Sequence, residues 1–178
     1  MCNYAPCYIA GGIDIVVYVC YYIHIYIGES SMKNRVAIKK LDEKAIIPSY
    51  GSAFAAGADL YACMEEDVIV HAGQTVFIHT GIAMEIPIGY AGFIYARSGL
   101  ATKRGLAPAN KVGVIDSDYR GEIIVALYNH SDREITIGNG ERIAQIVIAP
   151  YITAAFEEVE TLSDTIRGTG GFGSTGVK

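Results

Sequence analysis

Residues Glu122–Ala149 read EIIVALYNHSDREITIGNGERIAQIVIA. Three short runs of β-branched and aliphatic residues stand out in it: Glu122–Tyr128, Glu134–Ile137 and Ile143–Ala149. Between them lie Asn129–Asp132 and Gly138-Asn139-Gly140, whose side chains favour turns. The runs alternate close to period two or are simply apolar, which predicts strands buried on one or both faces. The same punctuation recurs toward the N-terminus. Val36–Lys40, Val68–Val70, Thr75–Ile86 and Ala91–Tyr95 are further predicted strands, with turns at His71-Ala72-Gly73, Pro87-Ile88-Gly89 and Asp116–Gly121. No long segment holds a helical period. One or two helical turns are predicted at Ser98–Arg104, with Ser98 as N-cap and Gly105 placed to stop them. The chain is therefore expected to be all-β, as a sandwich, jelly roll or small barrel.

A length of 178 residues suits one domain with a real core. The net charge of −5 argues against a sequence-independent grip on nucleic acid, and a small anionic substrate needs only a few local cations. Of the cysteines, Cys2, Cys7 and Cys20 crowd the first stretch and only Cys63 lies downstream, which excludes a disulfide framework there. A reducing, cytoplasmic setting follows. The histidines His24, His71, His79 and His130 are scattered without ligand spacing.

Residues 1–31 differ from the rest. They carry no Lys or Arg and are rich in Tyr and Ile, and IAGGIDIVVYVCYYIHIYI from Ile9 to Ile27 is long enough to suggest a membrane span. Asp14 and His24 sit inside that run and no basic residue flanks it, so no membrane anchor is expected. A signal peptide would need a positive start and a small-residue cleavage site. The segment is read instead as translated leader. Its Ile and Tyr codons are AT-rich, Gly28-Glu29 can be encoded as a ribosome-binding sequence, and MKNRVAIKKL from Met32 resembles an ordinary start. At the other end, glycine recurs through Arg167–Lys178, RGTGGFGSTGVK, too flexible to fold alone. A frayed terminus is the plain reading of such a tail. Yet a cation, a ring and two hydroxyls on a pliable backbone can also close over an anionic aromatic ligand.

Several short motifs are ambiguous singly. Gly57-Ala58-Asp59-Leu60 passes as a turn entering a strand, and Gly140-Glu141-Arg142-Ile143-Ala144-Gln145 as a tight turn leading into one. Arg97-Ser98-Gly99-Leu100 can begin a helix or hold phosphate oxygens through its hydroxyl, its guanidinium fork and a close backbone. Gly113–Glu122, GVIDSDYRGE, resembles a β-hairpin with an acidic turn; Asp116 and Asp118 either form that turn or serve chemistry.

In order and spacing these four segments, with RGTGGFGSTG, resemble the five motifs of the trimeric dUTPase family, over about residues 33–178. One departure is Ala96, where the family usually has proline before Arg-Ser-Gly. The resemblance implies an all-β, jelly-roll-like distorted β-barrel with a flexible Gly-rich C-terminal arm. It divides the chain into the leader, a β core over 32–155, and an arm over 156–178 that closes the active site of a neighbouring subunit. The implied activity is hydrolysis of dUTP to dUMP and pyrophosphate with Mg²⁺, in a homotrimer. It keeps uracil out of DNA and supplies dUMP for dTMP synthesis; neither nucleic acid nor membrane is an implied partner.

The resemblance also assigns roles. Asp116 would activate the attacking water. Asn110, with main-chain groups at Gly113, Val114, Ile115 and Ile124, would read uracil in a hairpin too narrow for a C5 methyl group. Tyr119 would pack under the deoxyribose and exclude a 2′-hydroxyl. Arg97, Ser98, Gly99 and Gln145 would hold the phosphates. Arg167, Gly173, Ser174 and Thr175 would close on them, with Phe172 over the base. The metal would be held through phosphates and water, with Asp59 at most nearby and no direct protein ligand. The nearest rivals are a dCTP deaminase, which needs a glutamate at the base's amino group, and a dUTPase-like regulatory module, which would have lost the base or the arm.

Overall fold

The computed structural model describes residues 35–171. Its pattern is plainest in the strand Glu122–Asn129, where Ile123, Val125, Leu127 and Asn129 are buried and the residues between them are not. A continuous apolar run has folded as a one-sided strand. In chain order the described strands are β1 (Ala37–Lys40), β2 (Ser49–Tyr50), β3 (Ala58–Tyr61), β4 (Val68–Val70), β5 (Thr75–Glu85), β6 (Tyr90–Tyr95), β7 (Leu106–Pro108), β8 (Gly113–Ile115), β9 (Glu122–Asn129), β10 (Ile135–Ile137) and β11 (Arg142–Pro150). They form an antiparallel four-stranded sheet, β1-β5-β9-β7, a five-stranded sheet, β2-β3-β11-β6-β8, and the pair β10-β4. One core joins all three: Ile78, Ile123 and Leu127 from the first, Leu60, Ile94 and Ile146 from the second, Val70 and Ile137 from the third. Each such side chain contributes about 1.5–3 kcal/mol by leaving water. The arrangement is jelly-roll-like.

The predicted strands are all present, with ends shifted by a residue or so. Four others are not among the predicted strands: β2 and β7, and also β3 and β8, whose residues read only as the start of a strand after a turn and as one arm of a hairpin. They are two to four residues long, too short to show a period, and two of them contain a residue that normally argues against a strand. Pro108 is tolerated in β7 because β7 is a sheet edge, and Gly113 begins β8, another edge.

Two local expectations need correction. The helical turn forms as a wide, π-type turn at Leu100–Arg104, and Gly105 ends it in the left-handed region with φ 77°, as expected. Ser98 does not cap it. The Arg97 carbonyl already accepts from the Ala101 N–H, so Ser98 lies inside the turn, and no side chain caps it. Second, Gly113–Glu122 is not a simple hairpin. β8 pairs with β6, Gly113 opposite Ile94, whereas β9 pairs with β5 and β7. The two arms therefore join different sheets and diverge.

Asn129 closes β9 as a buried polar residue with its bonds made. Its Nδ2 donates to the carbonyls of Val70 (2.9 Å) and Arg133 (2.7 Å), and its Oδ1 accepts from Ser131. Beyond Pro150 the chain runs exposed through residues 151–169. The leader expectation for residues 1–31 lies outside the described residues, as do Phe172, Gly173, Ser174 and Thr175. No helix among the described residues is long and apolar enough to cross a membrane.

Candidate active site

Where β8 and β9 part, they leave a small cleft of about 100 Å³ that opens to solvent. It is lined by Asn110, Gly113, Val114, Ile115 and Ile124, all expected at a base site, and by Ile94, Pro108, Val125 and Ala126. The lining side chains are mostly apolar, which suits a flat ring, but about half of the exposed lining surface is polar. Polarity comes from the backbone. The Ala126 carbonyl accepts from the Ala109 N–H at 2.8 Å, on the side of β9 that faces β7. The Ile123 carbonyl instead faces β5, where Thr80 Oγ1 donates to it. By period two, the N–H and C=O of Ile124 share the side of Ala126. The ladder with β7 has ended by then, at Pro108 opposite Leu127, so Ile124 presents both groups to the cleft. Gly113 keeps that space open. A Cβ there would stand 3.3 Å from the Ile94 Cβ and 3.4 Å from the Asn110 amide nitrogen.

At the end of β8 stands Asp116, exposed, its carboxylate without a hydrogen bond among the described residues. Its main-chain oxygen accepts from the Tyr119 N–H at 3.2 Å, closing the acidic turn. Tyr119 folds back so that its hydroxyl donates to the Glu122 carbonyl at 3.0 Å. The ring lies directly against Gly121, where a Cβ would stand 2.5 Å from the ring's Cζ. Gly121 is thus the floor on which Tyr119 rests.

A second group gathers where β3, β6 and β11 lie side by side. Asp59, its side chain largely buried in β3, takes Arg97 Nε at 2.7 Å on one oxygen and an Arg142 terminal nitrogen at 3.3 Å on the other. A charge so buried is tolerated only when paired. Arg97 is thereby fixed through its Nε, and its Nη1 makes a long 3.5 Å bond to the Arg142 carbonyl, which leaves Nη2 without a hydrogen bond among the described residues. Opposite Asp59 in the ladder sits Gln145, whose amide donates to the Ala96 carbonyl at 2.9 Å. Gly57 makes room for that amide, since a Cβ there would lie 2.5 Å from Gln145 Oε1. Ser98 and Gly99 follow on the exposed start of the helical turn. The far end of that turn is tied down by Arg104, which pairs with Glu141 and donates to the Thr136 carbonyl at 2.5 Å.

Among the described residues no side-chain hydrogen bond or ion pair links the cleft to the Arg97 cluster; the β8-β6-β11 ladder is what joins them. Arg167 joins neither and donates from Nε to the Gly170 carbonyl at 2.8 Å. The described residues contain no cluster of three or more His, Cys, Asp or Glu side chains. Arg142, Arg104 and Glu141 were not anticipated from the sequence. A signal for Arg142 existed, because an Asp inside the apolar run of β3 demands a cation. Cys63 is buried, and burial pushes its thiol up from the ordinary range.

Comparisons with known proteins converge. The family model described as dUTPase matches residues 43–176. A deoxyuridine 5′-triphosphate nucleotidohydrolase of Nautilia profundicola is 54% identical over 80% of this chain and 99% of its own length. That of Syntrophotalea carbinolica is 48% identical over 79% and 96%. Among solved structures, the Staphylococcus bacteriophage 80alpha dUTPase with dUPNHPP superposes with a TM-score of 0.75 at 30% identity, covering 82% of this chain and all of that one. A variant dUTPase from phage phi11 of S. aureus, described with a structural Mg(II) ion, has a TM-score of 0.65 at 27% identity, covering 72% and 98%.

Proposed function

The chain belongs to the dUTPase family, and from that premise we propose that it hydrolyses dUTP to dUMP and pyrophosphate. The observation that carries this reading is the cleft between β8 and β9, with the Ile124 main chain turned into it and Asp116 at its end. Uracil offers a donor and acceptors along one edge. Backbone N–H and C=O groups match that edge, and the Asn110 amide supplies one donor and one acceptor more. The walls left by Gly113 and Ile94 are close, so a C5 methyl group meets side chains rather than space.

Tyr119, resting on Gly121, gives the sugar a flat floor with no room for a 2′-hydroxyl. Arg97, held by Asp59, aims the end of its fork at phosphate oxygens, as Ser98, Gly99 and Gln145 do with hydroxyl and amide groups. Asp116 orients a water in line with the α-phosphorus and takes its proton as the water attacks. Pyrophosphate leaves.

Mg²⁺ fits this donor set as an ion carried by the triphosphate. Asp59, the nearest carboxylate to the phosphate side, has both oxygens engaged by arginines. Bound that way, the ion neutralises negative charge on the phosphate oxygens.

The cleft and the Arg97 cluster are separate groups within one chain, and assembly as a homotrimer would bring a cleft and a cluster from different copies into one site. Exposed Ile152, Phe156, Leu162 and Ile166 along the arm support its lying across a neighbour, where Arg167 with Phe172, Gly173, Ser174 and Thr175 covers the nucleotide. In the cytosol the enzyme would keep dUTP out of DNA synthesis and supply dUMP. A coupled pyrophosphatase assay tests the activity: dUTP should release phosphate while dTTP and UTP do not. Ammonia released from dCTP, with dUTP untouched, would assign the chain to deamination instead.

A further inference from the structure

Of the described residues other than glycine, Lys111 alone has a backbone in the left-handed region, with φ 67°. That conformation is strained for a residue with a Cβ. It falls in the corner that carries the chain from β7, an edge of one sheet, to β8, an edge of the other. Two hydrogen bonds hold the corner. The Lys111 N–H donates to the Pro108 carbonyl at 3.0 Å, and the Val112 N–H donates to the Asn110 carbonyl at 2.8 Å. The second bond spans only Lys111 and closes a γ-turn; positive φ at its centre makes it the rarer, strained form. The Lys111 side chain makes no hydrogen bond or ion pair among the described residues, so no contact of its own explains the strain. The corner is bracketed by Pro108, Asn110 and Gly113, which line the cleft. Strain of this kind persists where surrounding structure over-determines it, and it clusters at working sites.

We propose that Lys111 is a positioning residue for base recognition, acting through its backbone. A residue with a Cβ has a narrow left-handed well, so the corner is stiff once its two bonds form. That stiffness aims the Asn110 amide over Gly113 and fixes the spacing between β8 and the open edge of β9. Glycine would enter the same conformation without strain, but its broad well would let the corner wander. The proposal rests on the cleft being the uracil site.

Three proteins, each as the full chain, decide it: wild type, Lys111→Ala and Lys111→Gly. dUMP binding by calorimetry reads the cleft, dUTP kinetics read KM and kcat, and thermal melting reads the fold. Lys111→Ala keeps the strained backbone and removes only the amine, so dUMP affinity and KM should stay within about twofold of wild type. Lys111→Gly should weaken dUMP binding and raise KM for dUTP roughly 3–10-fold, with kcat nearly unchanged and Tm unchanged or higher. A structural role alone would not move affinity and stability in opposite directions. Unchanged dUMP affinity in Lys111→Gly would overturn the proposal, as would equal losses in both variants, because the amine would then be responsible. A wild-type protein that binds dUMP but leaves dUTP intact refutes the hydrolase reading and leaves this test standing. If wild type binds no dUMP, the cleft is not the uracil site and the proposal falls with it.

Discussion

Replacing Asp59 with asparagine separates two roles that a buried carboxylate beside a phosphate site can have. In one, Asp59 serves the metal; in the other, it aims Arg97. The geometry favours the second, because one oxygen takes Arg97 Nε at 2.7 Å and the other an Arg142 nitrogen at 3.3 Å. Asparagine keeps the shape, and its carbonyl can still accept from one arginine. What disappears is the negative charge and one acceptor. A charge-assisted hydrogen bond contributes about 1.5–3 kcal/mol, and a neutral one about half of that. The Arg142 contact is long and that side chain is half exposed, so it adds at most about 1 kcal/mol. The net loss is then about 1–2 kcal/mol, or a fall in Tm of about 2–8 °C for a domain of this size. If the same energy orients the guanidinium toward substrate, KM for dUTP should rise about 5–30-fold. The assay is dUTP turnover across a Mg²⁺ titration, with melting measured on the same samples. The arginine-aiming account predicts a higher KM at every Mg²⁺ concentration. A variant with wild-type KM at saturating Mg²⁺, but needing much more metal to reach it, would falsify that account and return Asp59 to the metal.

Three further outcomes are expected. Asp116→Asn should fold and bind dUMP normally while losing about 10²–10⁴-fold in kcat, since the amide takes no proton at neutral pH; near-normal turnover would remove Asp116 from the mechanism. Gly121→Ala should push the Tyr119 ring off its seat, raising KM for dUTP and narrowing the dUTP-over-UTP preference, measured as the ratio of kcat/KM; an unchanged ratio would mean that the ring's position does not discriminate sugars. Truncation after Thr165 should leave Tm nearly unchanged, because residues 151–169 are exposed, yet abolish most dUTP hydrolysis; full activity in the truncated chain would make the tail a frayed end.

How much of this was legible in the sequence depends on the range over which each feature is decided. The strand β9 announces itself as a run of β-branched and aliphatic residues, although which face is buried is not written there: Ile124 is as apolar as Ile123 and Val125, yet it is the exposed one. β7 and β8 do not. The equally short β4 and β10 are visible by their β-branched residues, whereas β7 holds Pro108 and β8 begins at Gly113, and each becomes a strand because a distant strand accepts it, Leu127 opposite Pro108 and Ile94 opposite Gly113. Ser98 failed as a cap for a related reason: the first helical acceptor is the Arg97 carbonyl, while the Arg97 side chain is committed to Asp59. Asp59 reads in the sequence as part of a turn entering a strand, at most near the metal, and the arginines that answer its charge depend on β3, β6 and β11 lying side by side. Motif order pointed to the site residues, and three-dimensional contact assigned their partners.

The misread hairpin is also the most instructive feature, because the correction explains why a site exists there. An ordinary two-stranded hairpin uses the inner N–H and C=O groups of both arms in its own ladder, and nothing remains to read a base. Here β8 is drawn to β6 and β9 to β5, so the arms separate just beyond the acidic turn. The Ile124 groups are then left facing a cleft whose other wall is β8. Backbone groups that a bound ligand covers demand partners, and a planar base edge with alternating donor and acceptor would supply them in one piece. A base with the wrong pattern leaves them unmet, which costs more than the lost bond alone. On the proposed reading of the cleft, specificity would come from strand pairing between sheets, and substitutions that alter how β8 sits on β6 should change base preference even where no side chain touches the nucleotide.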